Sequence, residues 1–244
     1  MIWLRSIIFY LLMLVFTIIF TALGILLLPT SFKIRFSSMS HWAACNLWTL
    51  KTICKLDYHI EGLENIPRGP AIIMCKHQSA WETLVVQRLF PTQVWVIKRE
   101  LLRIPIYGWG LATMQPIAIN RSAGAHAIRQ LVSDGRKRLE KGYWVVVFPE
   151  GTRLAPGQHG EYQPGGGLLS AKTGYPIVPI THNAGYFWPP RNLIKRPGTI
   201  NVVIGPTIYP QGKSAKEITR ETAEWIEKEG AKLPAPPFAA GSQN

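Results

Sequence analysis

The chain has 244 residues, of which 47% are hydrophobic and 17% are charged. This length and composition exclude a disordered chain and suit one catalytic domain with a small accessory segment. The formal net charge of +13 indicates an anionic partner, such as nucleic acid, an acidic membrane surface or a phosphorylated substrate.

An apolar segment near the N-terminus, residues 7–28, favours the membrane among these partners. It is uncharged, and its length of about 22 residues is enough to cross a bilayer as a helix. It is too long for the apolar region of a signal peptide, so we expect it to stay in the mature protein. Positive charges follow it at Lys33, Arg35, Lys51 and Lys55. This excess predicts the inner cell membrane as the location, with the rest of the chain on its cytoplasmic side.

The next stretch, residues 39–55, carries Trp42 and Trp48 among polar groups. It predicts an amphipathic helix at the membrane interface, with its tryptophans at headgroup level. Two arrangements fit the first 55 residues: a spanning helix followed by a surface helix, or a helical pair that dips into one leaflet. In both, residues 1–55 anchor the protein.

From residue 56 onward, short β-rich runs alternate with helix-compatible stretches. The predicted strands are residues 57–60, 71–75, 94–98, 116–119, 143–148, 176–180 and 200–204. The predicted helices are residues 80–90, 107–114, 124–140, 165–173 and 215–229. This alternation predicts an α/β catalytic domain over residues 56–233, with a mixed, largely parallel sheet flanked by helices. Residues 234–244, rich in Pro, Gly and Ala, are predicted to form a flexible tail.

The three cysteines have no Cys-x-x-Cys spacing, which indicates free thiols in a reducing compartment rather than disulfides or a zinc site. Cys75 is interpreted as a small buried hydrophobe in a strand, in preference to a catalytic thiol. Five histidines have no acid partner at a suitable position and are interpreted as structural or solvent-exposed: His41, His59, His126, His159 and His182. No cluster has sensible metal-ligand spacing, so we expect neither a metal nor a cofactor.

A first candidate pair is His77 and Glu82, which follow a predicted apolar strand. Five residues apart on one helix, they would point about 140° away from each other. They meet only if His77 lies before the first turn and Glu82 reaches back. His77 would then be a general base, with its tautomer held by the carboxylate. The structural alternative for Glu82 is a capping box with Ser79.

A second candidate group follows the predicted strand 143–148, in the sequence Phe-Pro-Glu-Gly-Thr-Arg. Gly151 permits close backbone approach, Thr152 can donate to oxygen atoms, and Arg153 has the planar fork that suits phosphate. An ordinary turn with a solvated Glu150 and Arg153 is the alternative. Both groups follow predicted strands, where parallel sheets place their ligands.

Five ordered blocks between residues 56 and 206 resemble the glycerolipid acyltransferase family of lysophosphatidate acyltransferases. The blocks are the His-x4-acid block at 76–83, Lys98-Arg-Glu-Leu-Leu-Arg-Ile-Pro, Ile119-Asn-Arg121, Phe148-Pro-Glu-Gly-Thr-Arg153 and Tyr175-Pro-Ile-Val-Pro-Ile. Two positions depart from the family pattern. Glu82 stands where Asp is commoner and keeps the carboxylate, whereas Asn120 replaces an Asp and puts that carboxylate's role in doubt.

The resemblance implies transfer of a fatty acyl group from acyl-CoA or acyl carrier protein to the sn-2 hydroxyl of 1-acyl-glycerol-3-phosphate, which gives phosphatidic acid. The acyl thioester is then a co-substrate, and lysophosphatidic acid and the bilayer are partners. The implied catalytic residues are His77 as base and Glu82 as its orienting acid. The implied substrate-binding residues are Lys98, Arg121, Glu150, Gly151, Thr152 and Arg153, of which Glu150 and Gly151 would position the glycerol.

Several alternatives remain at this stage. Another lysolipid acceptor, such as an ornithine-lipid precursor, fits the same blocks. Lipid A acyltransferases share the His-x4-acid block but are not expected to carry Phe-Pro-Glu-Gly-Thr-Arg. A serine hydrolase would need a Gly-x-Ser-x-Gly elbow, which the chain lacks. A nucleic-acid-binding module would leave the ordered blocks unexplained, so no nucleic acid is expected.

Overall fold

The computed structural model describes residues 1–239. Its strands are β1 (Leu56–Glu61), β2 (Ile72–Cys75), β3 (Gln93–Lys98), β4 (Ile117–Ile119), β5 (Trp144–Val147), β6 (Ile177–His182) and β7 (Gly198–Ile204). Its α-helices are α1 (Ile2–Leu26), α2 (Phe32–Thr52), α3 (Trp81–Leu89), α4 (Tyr107–Thr113), α5 (Ala125–Glu140), α6 (Gly165–Thr173), α7 (Ala184–Phe187) and α8 (Ala215–Lys232). Every strand and helix predicted after residue 56 is present, and only the short α7 was not predicted.

The strands form one sheet in the order β1-β7-β6-β2-β5-β3-β4. The pairings from β6 through β2, β5 and β3 to β4 are all parallel. β7 pairs antiparallel with β6 and parallel with β1, so β1 and β7, at one side of the sheet, run opposite to the other five strands. The predicted mixed, largely parallel sheet is therefore confirmed.

The central strands are buried on both faces, because apolar side chains alternate between two cores. Ile73 and Cys75 of β2 point into a core shared with α2 and α3. Ile72 and Met74 point into the opposite core, which includes residues of α5, α6 and α8. Because these central strands are parallel, their carboxyl ends lie at one edge of the sheet, where parallel α/β sheets bind ligands.

The N-terminal helices α1 and α2 form a pair that packs along the domain. α1 is long and apolar enough to cross a membrane, with mean hydropathy 2.6 and only 17% of its most apolar window buried. Near its start, the backbone N–H of Lys195 donates to Ser6 Oγ at 2.9 Å. Near its end, Thr21 Oγ donates to the carbonyl oxygen of Ile106 at 3.2 Å. Both ends of α1 are therefore held against the domain.

The second helix differs from the expected interfacial helix in where its side chains lie. It begins at Phe32, capped by Ser31, so the predicted stretch 39–55 omits its first turns. Trp42 is half-buried and its Nε1 donates to Thr17 Oγ at 3.1 Å in α1, while Trp48 is exposed. Arg35, expected as a flanking positive charge, is buried, and its Nε donates to the carbonyl oxygen of Thr113 at 2.6 Å.

A buried lysine connects α1 to the segment that follows α7. Lys195 is 1% exposed, and its ammonium group donates to the Tyr10 hydroxyl at 2.6 Å and to the carbonyl oxygen of Leu193 at 2.8 Å. The same group lies 3.9 Å from the ring centre of Tyr10 and 4.3 Å from that of Trp188. Ring faces attract cations, so this contact stabilises the junction between helix and domain.

Of the predicted flexible tail, residues 240–244 lie outside the described residues. The first part of the tail contacts the domain. Asn183 Nδ2 donates to the carbonyl oxygen of Pro234 at 2.9 Å. The ring of Phe238 packs edge-on against Phe187, and the guanidinium of Arg196 lies 4.9 Å from its centre.

Candidate active site

The carboxyl ends of four neighbouring strands place the predicted site residues at one cavity. His77 follows β2, Lys98 ends β3, Arg121 follows β4, and Thr152 and Arg153 follow β5. All five, together with Gly151, line a cavity of about 410 Å³. That volume lies within the range of about 300–1,000 Å³ that is usual for ligand pockets.

The structure brings His77 and Glu82 together as the strand-to-helix junction predicts. His77 lies before α3 and Glu82 is in its first turn. His77 Nδ1 donates to Glu82 Oε1 at 2.7 Å. The backbone N–H groups of Gln78 and Ser79 donate to the same oxygen at 3.1 and 2.9 Å. One oxygen thus closes the helix N-terminus and orients the imidazole, so the structural and functional interpretations of Glu82 are compatible.

Glu82 is fully buried, which determines its charge state. Burial alone would raise its pKa, but the hydrogen bond from His77 and the nearby imidazole of His182 hold the pKa below its usual value. The carboxylate therefore stays ionised. With Nδ1 of His77 engaged, Nε2 is the ring nitrogen left to take a proton in the cavity.

Further contacts hold the ring and the backbone of His77. Its ring stacks on Phe148, with centres 4.0 Å apart and planes 14° from parallel. Its backbone N–H donates to Glu150 Oε2 at 2.7 Å. Its carbonyl oxygen accepts the N–H of Leu154 at 2.9 Å. These contacts fix the position of the imidazole before any substrate binds.

Glu150 occupies a different place from the one expected of a residue that positions glycerol. Its carboxylate is fully buried and does not line the cavity. One oxygen accepts the His77 N–H, and the other lies 2.8 Å from Lys76 Nζ. The chain turns at Gly151, which sends Glu150 inward and Arg153 outward. Glu150 therefore contacts His77 and Lys76 and does not face the cavity.

Gly151 has φ of +71°, a left-handed conformation that glycine adopts without strain. A methyl group at this position would lie 3.2 Å from Nη1 of Arg121. The missing side chain therefore serves both the turn and the close approach of the Arg121 guanidinium. The predicted close backbone approach is present, with Arg121 as the neighbour.

The rest of the cavity wall is largely apolar, and much of it comes from the N-terminal helices and from α4 and the residue after it. It includes Phe20, Met39, Trp42, Leu111 and Met114. One cation was not predicted from the sequence: Arg191 also lines the cavity and has φ of +59° after two prolines. No local pattern singled it out, because it lies in a loop with no strand before it.

Two further residues beside His77 were missed or misjudged. His182, interpreted as structural or exposed and without an acid partner, is buried with Nε2 3.8 Å from Glu82 Oε2. Its Nε2 donates to the carbonyl oxygen of Lys76 at 2.9 Å, and its Nδ1 accepts the N–H of Ala184. Burial lowers the pKa of His182, which keeps it neutral. Lys76 is itself buried, although it immediately precedes His77 at the cavity.

The cysteines are free thiols, as predicted. Cys75 is completely buried. Burial, reinforced by the charges of Glu82 and Glu150, raises its pKa well above the ordinary value, so it is a poor nucleophile. Within residues 1–239 no group of three or more His, Cys, Asp or Glu side chains is placed to hold a metal ion.

Comparison with known proteins agrees with this geometry. Residues 57–183 match the family model described as Acyltransferase. The chain is 38% identical over 234 residues to the 1-acyl-sn-glycerol-3-phosphate acyltransferase of Pseudomonas aeruginosa, covering 94% of this chain and 91% of that protein. The chain belongs to the acyltransferase family. It is therefore an enzyme, and the family suggested by the five blocks is confirmed.

More distant relatives match over shorter stretches. The chain is 32% identical over 142 residues to the chloroplastic 1-acyl-sn-glycerol-3-phosphate acyltransferase LPAT1 of Arabidopsis thaliana, covering 57% of this chain and 38% of that protein.

The crystal structure of the 1-acyl-sn-glycerophosphate acyltransferase PlsC from Thermotoga maritima has a TM-score of 0.79, with 96% of both chains covered and 21% identity. This likeness shows that the fold is shared over nearly the whole chain.

Proposed function

We propose that this acyltransferase moves a fatty acyl group from a thioester to the sn-2 hydroxyl of 1-acyl-glycerol-3-phosphate and so forms phosphatidic acid for phospholipid synthesis. The observation that carries the proposal is one cavity in which an oriented imidazole, several cations and an apolar wall meet. These are the features that a hydroxyl, a phosphate and an acyl chain require. The relative from Pseudomonas aeruginosa, a 1-acyl-sn-glycerol-3-phosphate acyltransferase, supports the same substrate.

In the proposed mechanism, Nε2 of His77 takes the proton of the glycerol hydroxyl as its oxygen attacks the thioester carbonyl carbon. The new carbon–oxygen bond forms and the carbon–sulfur bond breaks. The imidazolium then returns the proton to the departing thiolate. Glu82 stabilises the imidazolium through the hydrogen bond at Nδ1. No bound metal or cofactor takes part in this scheme.

We propose that the cationic side chains at the cavity bind the phosphate of the acceptor. Arg121 and Arg153 offer planar forks, and Lys98 a compact charge. Arg191 adds a fourth cation at the same cavity. Thr152, also at the cavity, is a hydroxyl donor for the phosphate or the glycerol. The acyl chains fit the apolar wall between α1, α2 and α4.

Membrane attachment is proposed to occur through α1, at the cytoplasmic face of the inner membrane. The contacts at Ser6 and Thr21 are 15 residues apart (21 − 6), or about 22 Å of helix. The hydrocarbon core of a bilayer is about 30 Å thick. A helix held to the domain over such a length cannot also reach the far side, so we place the helical pair in one leaflet.

The test is transfer of a labelled acyl group to lysophosphatidate by the full chain purified in detergent. Acyl-CoA and acyl carrier protein are tried as donors. His77→Ala should reduce kcat by about 10²–10⁴-fold, the usual contribution of a general base. His126→Ala, which changes an exposed histidine away from the cavity, is the matched control. Normal activity of folded His77→Ala would exclude the mechanism.

The acceptor is tested with lysolipids that lack the phosphate, including an ornithine-lipid precursor. If the cations bind phosphate, Arg153→Ala should raise KM for lysophosphatidate and leave KM for a phosphate-free acceptor unchanged. Preference of the wild-type enzyme for the phosphate-free acceptor would replace the proposed substrate and keep the acyl transfer.

A further inference from the structure

A chain of ionic contacts connects the backbone of His77 to the C-terminal helix α8. The His77 N–H donates to Glu150 Oε2 at 2.7 Å, and Lys76 Nζ lies 2.8 Å from Glu150 Oε1. The same ammonium group donates to Glu227 Oε1, which also accepts the Tyr162 hydroxyl at 2.8 Å. Glu227 thus ends a continuous path from α8 to the proposed base.

Because these groups are buried, the loss of one ion pair on this path costs free energy. The side chains of Lys76 and Glu150 are 5% and 0% exposed, and that of Glu227 is 26% exposed. A buried charge needs a partner, because the interior solvates it poorly. Lys76 therefore has to remain between the two carboxylates. If Glu227 lost its charge, Lys76 would have Glu150 as its remaining acid partner.

The position of Glu150 bears directly on the base. Its carboxylate holds the backbone N–H of His77, whose ring is fixed by Phe148 and Glu82. A shift of Glu150 toward or away from Lys76 would move that backbone and the imidazole with it. Small displacements of a catalytic group reduce the rate without weakening substrate binding.

We propose that Glu227 is a positioning residue for the His77 base and acts through Lys76 and Glu150. The inference rests on the proposed role of His77. Glu227 lies outside residues 57–183, the range that matches the family, and outside the five sequence blocks. Here α8, which otherwise packs as a surface helix, contributes a charge to the site.

The first test is the kinetics of Glu227→Gln, which keeps the shape and removes the charge. We expect kcat to fall about tenfold, as for a loss of about 1.4 kcal/mol in transition-state stabilisation. KM for lysophosphatidate should stay within twofold, because Glu227 does not line the cavity. The matched control is Glu224→Gln on the same helix, where the carboxylate is exposed and pairs with Arg220.

The second readout is the acidic limb of the pH–rate profile, which a purely structural role would not move. Removing a negative charge near His77 makes the imidazolium less stable. The limb of Glu227→Gln should therefore move to lower pH, by about half a pH unit. Lys76→Gln removes a positive charge from the same network, so its limb should move to higher pH.

Other titratable groups around His77 stay the same in both variants. They are Cys75, Glu82 and His182, and the cavity adds Lys98, Tyr107, Arg121, Arg153 and Arg191. Tyr162 and His159 are the exceptions, because the Tyr162 hydroxyl donates to Glu227 Oε1 at 2.8 Å and His159 Nδ1 donates to Glu227 Oε2 at 2.7 Å. His159→Gln serves as the second control and should leave the limb in place.

Opposite shifts in the two variants support the proposal, and an unchanged kcat and limb in folded Glu227→Gln overturns it. If Glu227→Gln does not fold, Lys76→Gln is the remaining test of the proposal. In that variant, an acidic limb that does not move to higher pH overturns the proposal. The protonation of His77 is also followed by NMR of labelled histidine in detergent. That measurement needs no substrate, so it separates this proposal from failure of the proposed reaction.

Discussion

Lys76 and Lys195 are both buried, at 4% and 1% exposure, but the protein accommodates their charges differently. Lys76 lies between the carboxylates of Glu150 and Glu227, beside the proposed base. Lys195 lies against the rings of Tyr10 and Trp188, where α1 meets the domain. Within residues 1–239 it forms no ion pair with a carboxylate.

The difference follows from the surroundings of each lysine. Beside His77, Lys76 forms ion pairs with both Glu150 and Glu227, so each of the three charges has a partner. At the junction between α1 and the domain, a carboxylate would itself be costly to bury, and aromatic faces attract a cation without adding a charge. Burial lowers the pKa of Lys195 to about 7, so its charge is held less securely than that of a paired lysine.

The largest expected effect comes from the same substitution made at the two sites. Lys76→Met leaves Glu150 and Glu227 facing each other without a cation, and should lower the free energy of unfolding by about 3–5 kcal/mol. Lys195→Met leaves no buried acid unpaired and should cost less, about 1–2 kcal/mol, mainly through the lost hydrogen bonds. Thermal unfolding in detergent at pH 7 measures both, and equal losses would contradict the comparison.

A second, smaller effect is the pH dependence that Lys195 gives to stability. Its pKa is about 7 when folded and about 10.5 when unfolded, so the unfolded chain binds more protons between these values. Stability should therefore rise with pH across this window, by up to about 2 kcal/mol from pH 7 to pH 9. The rise is measured relative to Lys195→Met, which lacks the group. If the free energies of unfolding of the two proteins change equally between pH 7 and pH 9, the prediction is wrong.

The smallest expected effect is the loss of one hydrogen bond at the same junction. Tyr10→Phe keeps the ring beside Lys195 and removes the hydroxyl 2.6 Å from its ammonium group. We expect a loss of about 1 kcal/mol in unfolding free energy. Tyr209→Phe, at an exposed tyrosine, is the control. If Tyr10→Phe lost as much unfolding free energy as Lys76→Met, the contact with the Tyr10 ring would not be enough to stabilise the Lys195 charge.

Much of the fold and part of the site could be predicted from local patterns. Apolar runs marked the strands, and the strand-to-helix junction predicted that Glu82 reaches back to His77, as it does. The turn after β5 was also identified, but the inward direction of Glu150 was not. That direction depends on Lys76, a residue 74 positions earlier in the chain (150 − 76), and no local pattern reports such a contact.

The sequence by itself determined the α/β class, the apolar N-terminal helix and the family, because strand periodicity, segment hydropathy and motif order are local properties of the chain. The tertiary structure alone decided which side chains share the cavity and which support it from behind. It placed His182 beside Glu82, Arg191 at the same cavity as Arg153, and Glu227 at the end of the path to His77. These placements arise from the order of the strands and the docking of α8, which join residues far apart in sequence.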